Sequence, residues 1–395
     1  MSKRKSRLSK NVITLGFVSL FNDLSSEITI RTLPLYLANV LGAKTGIIGL
    51  IEGIADSTAT ILKIFSGWLS DTLQQRKNIV LGGYTLSACS KPFLFLASSW
   101  VVVLAIRFAD RVGKGLRTAP RDALIADSTA PEHRGRAFGF NRMMDPIGGT
   151  LGLFIAAAFI FYSGNDSFHL TQSIFQTLVL ISIVPAFISV LLILLFVRDI
   201  RSDHPRSAPP KFSFAGFDPR FKKFLGIVVL FTLGNSSDAF LILRAQSVGM
   251  NLFQIFLMIA FFNLVSSIVS HPAGILSDRL GRKRVIVIGW IVYSLIYAGF
   301  AFANEVAHIW ILYVLYGLYY GFTEGVEKAL VADFVPPDKR GTAYGLYNGA
   351  IGLMALPASV IAGLLWQFVG VSIPFIFGAL LSLIAVMFLW RLQKD

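Results

Sequence analysis

Long apolar segments and short polar breaks alternate along the whole chain. Blocks such as Ile79–Ala97, Leu178–Val197 and Val285–Phe302 approach the roughly 20 residues that a helix needs to cross a bilayer. Gly, Pro, Asn and charged residues mark the breaks. The pattern predicts an all-α membrane protein with twelve transmembrane helices in two sets of six: 12–40, 46–70, 78–97, 100–128, 135–164 and 172–197, then 221–248, 251–276, 284–303, 307–333, 341–368 and 371–391.

The composition supports a membrane protein. Hydrophobic residues make up 54% of the 395 residues and charged residues only 15%, whereas soluble domains carry about 25% charged residues. The net charge of +14 does not indicate nucleic-acid binding, because the basic residues lie mostly in breaks between apolar blocks. With Cys89 as its single cysteine, the chain can form neither an internal disulfide nor a thiolate metal cluster, and we expect no metal and no cofactor.

Basic residues near helix ends predict the orientation, because they stay on the cytoplasmic side. The odd-numbered loops hold only Lys44, and Arg244 lies near the outer end of predicted helix 7. One missed helix would invert every later loop, so both termini are predicted to be cytoplasmic. The other basic positions are the N-terminal cluster 3–10 and the even-numbered loops at 76–77, 134–136, 198–223, 279–284 and 339–340.

The longest polar stretch divides the protein evenly. It is rich in Pro, Ser and charge, as expected for a linker. We therefore predict a basic cytoplasmic tail (1–11), an N-terminal half (12–197), a cytoplasmic linker (198–220) and a C-terminal half (221–391).

Two phrases occur once in each half at nearly the same offset. The segment Gly67–Asp71 (GWLSD), followed by Arg76 and Lys77, returns as Gly274–Lys283 (GILSDRLGRK). The segment Ala123–Asp127 (ALIAD) returns as ALVAD at 329–333, and a basic residue and Gly follow each copy. Paired phrases at one offset indicate that the two halves are repeats.

At these phrases the chain resembles the major facilitator superfamily, whose loop signature G-x-L-x-D-R-x-G-R-[RK] matches every position from Gly274 to Lys283. The N-terminal copy departs at Thr72, Gln74 and Gln75. The resemblance implies two pseudo-symmetric six-helix bundles in a prokaryotic-type plasma membrane, and Asp71 and Asp278 holding their cytoplasmic ends together. The implied gating residues are Gly67, Asp71, Arg76, Gly274, Asp278, Arg282 and Lys283.

Ionisable residues inside the predicted helices are candidates for function, because a charge at bilayer depth costs several kcal/mol unless it is paired or faces a cavity. In helix 1, Asp23, Glu27 and Arg31 follow at i,i+4 and share one face. Helix 4 gathers Arg107, Arg111, Lys114 and further charges within about 140° of arc at about 100° per residue. Ion pairing within helix 4 is the competing interpretation for about half of these residues.

In the superfamily, helices 1, 4, 7 and 10 line the central cavity. Buried carboxylates that can take up protons suit coupling, and Asp23, Glu27 and Asp238 are our predicted proton-coupling residues. Helix 10 adds Tyr316 and Tyr320 at i,i+4. The predicted substrate-binding residues are Arg31, Arg107, Arg111, Lys114, Arg142, Asn235, Asn263, Tyr316, Tyr320 and Glu324.

The sequence favours a monomeric secondary active transporter that moves a small polar, anionic solute by alternating access with protons, since Arg and Lys in helices 4 and 5 suit carboxylate or phosphate recognition. An organic acid or a carboxylate-type metal chelate such as a siderophore would fit. A multidrug efflux proton antiporter is the alternative, given the 34 phenylalanines. A third alternative is a non-transporting sensor with this fold. It is less favoured, because such a protein has less need of the gating phrases that both halves retain. We do not expect an enzyme, because the sequence contains no Ser/His/Asp constellation.

Overall fold

The structure is a computed structural model and describes residues 8–73, 75–130, 134–163, 168–200, 217–335 and 340–392. Within these ranges the backbone forms thirteen α-helices and no strand. The first half holds α1 (Lys10–Asn39), α2 (Thr45–Leu73), α3 (Arg76–Phe95), α4 (Trp100–Asp127), α5 (Arg134–Tyr162) and α6 (Gln172–Phe196). The second holds α7 (Pro219–Gly234), α8 (Ala239–Ser247), α9 (Leu252–Leu280), α10 (Arg282–Phe302), α11 (Val306–Asp333), α12 (Arg340–Phe368) and α13 (Ile373–Arg391).

The helices begin and end where the local chemistry predicts. The Ser9 and Ser99 hydroxyls accept hydrogen bonds from the backbone N–H groups of Val12 and Val102, which caps α1 and α4. Gly281, at φ 89°, joins α9 to α10, a conformation that glycine adopts without steric cost. Glycine in the turn of the second loop phrase is therefore explained by its backbone conformation.

Predicted helix 7 is not one helix but two. Its backbone leaves the helical conformation between Gly234 and Ala239, at the sequence Asn-Ser-Ser-Asp. Short polar side chains compete for backbone groups there: the Ser237 hydroxyl accepts from the Ala239 N–H, and the Ser359 hydroxyl of α12 accepts from the Ser237 N–H. The prediction of a continuous helix was wrong, because hydrophobic periodicity hardly registers a four-residue break. Together α7 and α8 form the seventh of twelve spans.

The helices pack as two six-span halves. In the first half α1 packs on α5 and α6, and α4 on α2 and α3; in the second, α9 and α10 pack on α11, and α10 on α13. The halves meet along α2 with α12 and along α5 with α9. Among the described residues, eight spans are long and apolar enough to cross a membrane, and these are the fifth to the twelfth. The first and fourth spans carry the charges noted above, and the second and third also contain ionisable residues, namely Glu52, Asp56, Lys63 and Lys91.

A close helix contact between α1 and α5 depends on glycine. A Cβ built on Gly148 would lie 2.1 Å from the Leu20 carbonyl oxygen, so Gly148→Ala must push the two backbones apart. We expect a loss of about 1–3 kcal/mol of stability, seen as a lower midpoint of thermal unfolding in detergent.

The control lies in the same helix. A Cβ on Gly139 meets no atom within 4 Å, and alanine is the better helix former by about 1 kcal/mol. Gly139→Ala should therefore leave the midpoint unchanged or raise it. Equal losses in both variants would show that the contact of Gly148 with Leu20 does not decide the effect.

Candidate functional site

A cavity of about 530 Å³ lies between the two halves. Its walls come from α1, α2 and α4 of the first half and from α7, α8, α11 and α12 of the second, as well as from the break between α7 and α8. The sequence-predicted residues that line it are Glu27, Arg31, Arg107, Arg111, Lys114, Asn235, Asp238, Tyr316 and Tyr320.

Arg107 anchors the first-half wall. Its Nη2 lies 2.9 Å from Glu52 Oε2, and its Nη1 lies 3.7 Å from Asp110 Oδ2. Arg107 is 5% and Glu52 4% exposed, so the pair is shielded from water. A buried, paired guanidinium of this kind holds α4 against α2 and has little freedom to bind a solute.

The neighbouring cations on α4 are less fully paired. The Arg111 Nε lies 3.4 Å from Asp110 Oδ2 and has no hydrogen-bond partner in the described structure. Lys114 is exposed along the cavity and forms no ion pair within 4 Å among the described residues. These two side chains offer N–H donors to the cavity, and such donors bind carboxylates and phosphates well.

Arg31 joins the two halves. Its Nε lies 2.9 Å from Glu27 Oε2 on α1, and its Nη1 lies 3.1 Å from Asp238 Oδ2 in the break before α8. The Tyr316 hydroxyl donates to Asp238 Oδ1 at 3.0 Å. The broken span thus places a carboxylate where a first-half cation can reach it.

The second-half wall combines aromatic rings with one more carboxylate. Glu327 accepts hydrogen bonds from Trp290 Nε1 at 2.9 Å and from the Tyr347 hydroxyl at 2.6 Å. The Phe231 ring stacks on Trp290 with centroids 4.2 Å apart. The two hydrogen bonds to Glu327 and the stacked rings hold this wall in place, so its polar groups are positioned before a solute binds.

Three predicted site residues lie outside the cavity lining. Arg142 is 61% exposed in its side chain and faces Asp122 at 3.8 Å. Asp23 accepts a hydrogen bond from the Asn22 amide at 2.9 Å. Asn263 lies beside Gly149, where the halves meet. The side chain of the tenth predicted binding residue, Glu324, lies outside the described residues.

The repeated phrases meet each other within each half. Arg76 forms an ion pair with Asp127, and Arg282 Nη1 lies 2.5 Å from Asp333 Oδ1. Each loop arginine therefore holds the end of the fourth span of its own half, α4 in the first and α11 in the second. Lys283 Nζ donates to the carbonyls of Trp390 and Leu392.

The packing does not require glycine at the start of the first phrase: a Cβ on Gly67 would make an ordinary van der Waals contact with Ala119 Cβ at 3.4 Å. The side chains of Asp71 and Asp278 and the environment of Gly274 lie outside the described residues. The gating role of all seven residues stays a prediction.

Several lining residues were not among the predicted site residues. Their signal was present in the sequence as charge or hydroxyl groups inside predicted helices, but nothing in one sequence told which of these groups face the same space. They are Glu52, Asp56, Tyr319, Thr323, Glu327, Lys328 and Asn348.

One end of the interface between the halves is held by direct contacts. The Thr45 hydroxyl donates to the Gly363 carbonyl at 3.0 Å, and Gln246 Nε2 donates to the Phe168 carbonyl at 2.7 Å. The rings of Phe161 and Phe253 lie 5.7 Å apart between centroids. All of these residues lie near the odd-numbered loops, so the cavity is closed at that end.

The chain is similar in sequence and in fold to proteins described as transporters. An MFS-type transporter of Methanocaldococcus jannaschii, itself described as uncharacterized, is 37% identical over 96% of this chain and 94% of its own. The multidrug resistance protein 2 of Bacillus subtilis is 28% identical over 42% of this chain and 39% of its own. The solved structure of the nucleoside transporter NupG superposes with a TM-score of 0.82 at 14% identity, over 97% of this chain and all of that one.

The Major Facilitator Superfamily profile matches residues 15–243 and 224–395, nearly the entire chain. The predicted helix-bundle fold and membrane class are thereby confirmed, as is the expectation that the protein is not an enzyme. The chain belongs to the major facilitator superfamily and is a multi-pass membrane transporter.

Proposed function

We propose that the protein is a proton-coupled secondary active transporter for a small polar solute with an anionic group, an organic acid or a carboxylate-type metal chelate. The observation that carries this proposal is the position of Arg111 and Lys114, whose donors face the cavity without a full set of partners. A carboxylate or phosphate would supply those partners.

Charge balance in the cavity supports coupling to protons. The described lining holds as many carboxylates as cations, so an anion that enters adds an uncompensated negative charge to the cavity. A proton taken up by a lining carboxylate restores the balance. The cations are Arg31, Arg107, Arg111, Lys114 and Lys328, and the carboxylates are Glu27, Glu52, Asp56, Asp238 and Glu327.

Glu27 is our first choice for the proton carrier, since it shares Arg31 with Asp238 across the two halves. Protonation of Glu27 would leave Asp238 as the only carboxylate paired with Arg31. The ion pair between the halves would then be stronger, so the proton would favour the conformation in which this pair is formed. If the termini are cytoplasmic, as the loop charges predict, the closed end is the outer one. On this proposal the structure corresponds to an outward-closed state, and we propose that the protein acts as a monomer.

The experiment uses purified protein in liposomes with an imposed pH gradient. We expect gradient-driven uptake of citrate, ferric citrate or another organic acid from a panel, and loss of the acceleration by the gradient in Glu27→Gln with binding retained. Asp199→Asn is the control, because Asp199 lies in the predicted linker and not in the cavity. If no acid is taken up, or if Glu27→Gln responds to the gradient like the wild type, the proposal fails.

Multidrug efflux is the second candidate. The aromatic second-half wall, in which Tyr316 stacks on Phe262 with centroids 5.3 Å apart, and the similarity to the Bacillus subtilis multidrug resistance protein favour it. The many charges of the lining count against it, because flat apolar drugs would leave these groups without partners. Drug sensitivity of a deletion strain, with and without the gene supplied in trans, separates the two functions.

A further inference from the structure

A second cavity, of about 480 Å³, lies on the second half away from the central one. It is a groove between the first turns of α7 and the last turns of α13, which are both spans apolar enough to cross a membrane. Its lining divides into a basic rim and an apolar floor. The lining residues are Arg220, Lys223, Gly226, Ile227, Leu230, Phe388, Arg391 and Leu392.

The rim is positive. Arg220 is paired with Asp218, Nη2 to Oδ2 at 3.0 Å, whereas Lys223 and Arg391 form no ion pair with a described residue. At the end of α13, Lys283 donates to the carbonyls of Trp390 and Leu392. This lysine offsets the negative end of the helix dipole, so the rim keeps a surplus of positive charge.

The floor is apolar and open. Leu230 lies seven residues beyond Lys223, about 10 Å deeper at about 1.5 Å per residue. Phe388 is 51% exposed, and a Cβ on Gly226 would meet no atom within 4 Å. A groove that runs from charge into the apolar depth of a span has the dimensions of a lipid headgroup and the start of an acyl chain.

We propose that this groove binds one anionic phospholipid, with its phosphate at Lys223 and Arg391 and an acyl chain along Gly226 and Leu230. Charge complementarity favours an anionic lipid over a zwitterionic one, since basic pockets beside membrane spans bind anionic headgroups. The apolar floor favours a lipid over a soluble phosphate. Nothing in this site depends on which solute the central cavity carries.

Native mass spectrometry of the full-length protein tests the site with phosphatidylglycerol as the probe and phosphatidylcholine as the comparison. We expect one phosphatidylglycerol to be retained in preference to phosphatidylcholine. Lys223→Gln with Arg391→Gln should weaken its binding by roughly 30-fold, from about fivefold per basic residue. Lys222→Gln is the matched control, because Lys222 is exposed but does not line the groove.

Gly226→Leu tests the acyl-chain part without altering charge. A Cβ at this position meets no atom within 4 Å, and the side chain beyond it would extend along the groove. The variant should therefore fold with a thermal midpoint that is unchanged or higher and still lose the retained lipid. Inorganic phosphate in excess should not displace the lipid. The proposal is overturned if Lys222→Gln weakens binding as much as the rim variant, if Gly226→Leu keeps the lipid, or if phosphate alone displaces it.

Discussion

Arg107→Leu is expected to destabilise the protein more than any other single substitution in the cavity wall. The guanidinium lies 2.9 Å from Glu52 and 3.7 Å from Asp110. Its loss would leave Glu52 in a buried space without its ion-pair partner and Asp110 with one arginine fewer. Removing one member of a buried ion pair costs about 3–5 kcal/mol. The midpoint of thermal unfolding in detergent should fall sharply, and expression in the membrane with it.

Two companion variants separate charge from packing. In Glu52→Gln the amide oxygen can still accept a hydrogen bond from Arg107, so the loss of stability should be smaller than in Arg107→Leu. The double variant Arg107→Leu with Glu52→Leu removes both members of the buried pair. Asp110 loses Arg107, but Arg111 still lies 3.4 Å from it. This double variant should recover part of the stability, because replacement of a buried pair by apolar residues is often neutral. If it is no more stable than Arg107→Leu, lost packing and not unpaired charge explains the effect.

The helices and their grouping could be predicted from the sequence because each rests on a local signal. Long apolar blocks give the spans, and the two repeated phrases give the halves. The pairing of Arg76 with Asp127 and of Arg282 with Asp333 was not predicted, although both members of each pair belong to the repeated phrases. The phrases lie about 50 residues apart, and no periodicity connects two loops that meet only in three dimensions.

The cavity could be predicted only in part. Charges inside helices 1 and 4 pointed to Arg31, Arg111 and Lys114, and the same rule marks Glu52 and Glu327, which the lining also contains. The rule says that a charge must avoid lipid, but it does not say whether the charge faces a neighbouring helix or the cavity. Arg142 illustrates the difference, since it was predicted to bind the solute from helix 5 but lies outside the lining, with a largely exposed side chain.

The break in span 7 is a feature that the hydrophobic pattern of the sequence did not predict. Asn235 and Asp238 were predicted as site residues on a regular helix, and the structure places them at the two ends of a non-helical segment. Irregular backbone at bilayer depth is tolerated where it lines a cavity, and broken helices of this kind are typical of solute and ion sites in transporters. The polarity of these residues identified them in the sequence, but the geometry that brings Asp238 to Arg31 could not be predicted from it.

Arg111→Gln is expected to have the largest effect on solute binding. A hydrogen bond to a charged group contributes about 1.5–3 kcal/mol, so loss of the Arg111 donors should weaken binding of an anionic solute roughly 10- to 100-fold. Lys114→Gln should act in the same direction, and the two changes together should abolish saturable uptake. The measurements are ligand-induced thermal stabilisation, which reports binding by mass action, and uptake into liposomes.

Arg142→Gln is the matched control for these two variants. It removes the same kind of charge from the same half, but at a side chain that is 61% exposed and outside the cavity lining. We expect its affinity for the solute to stay within a factor of about two of the wild type, since surface charges contribute little. If Arg142→Gln weakens binding as much as Arg111→Gln, the anion is recognised by the overall positive charge of the first half. If only Arg111→Gln and Lys114→Gln do so, the solute's anionic group lies between these two side chains, against the wall that α4 presents to the cavity.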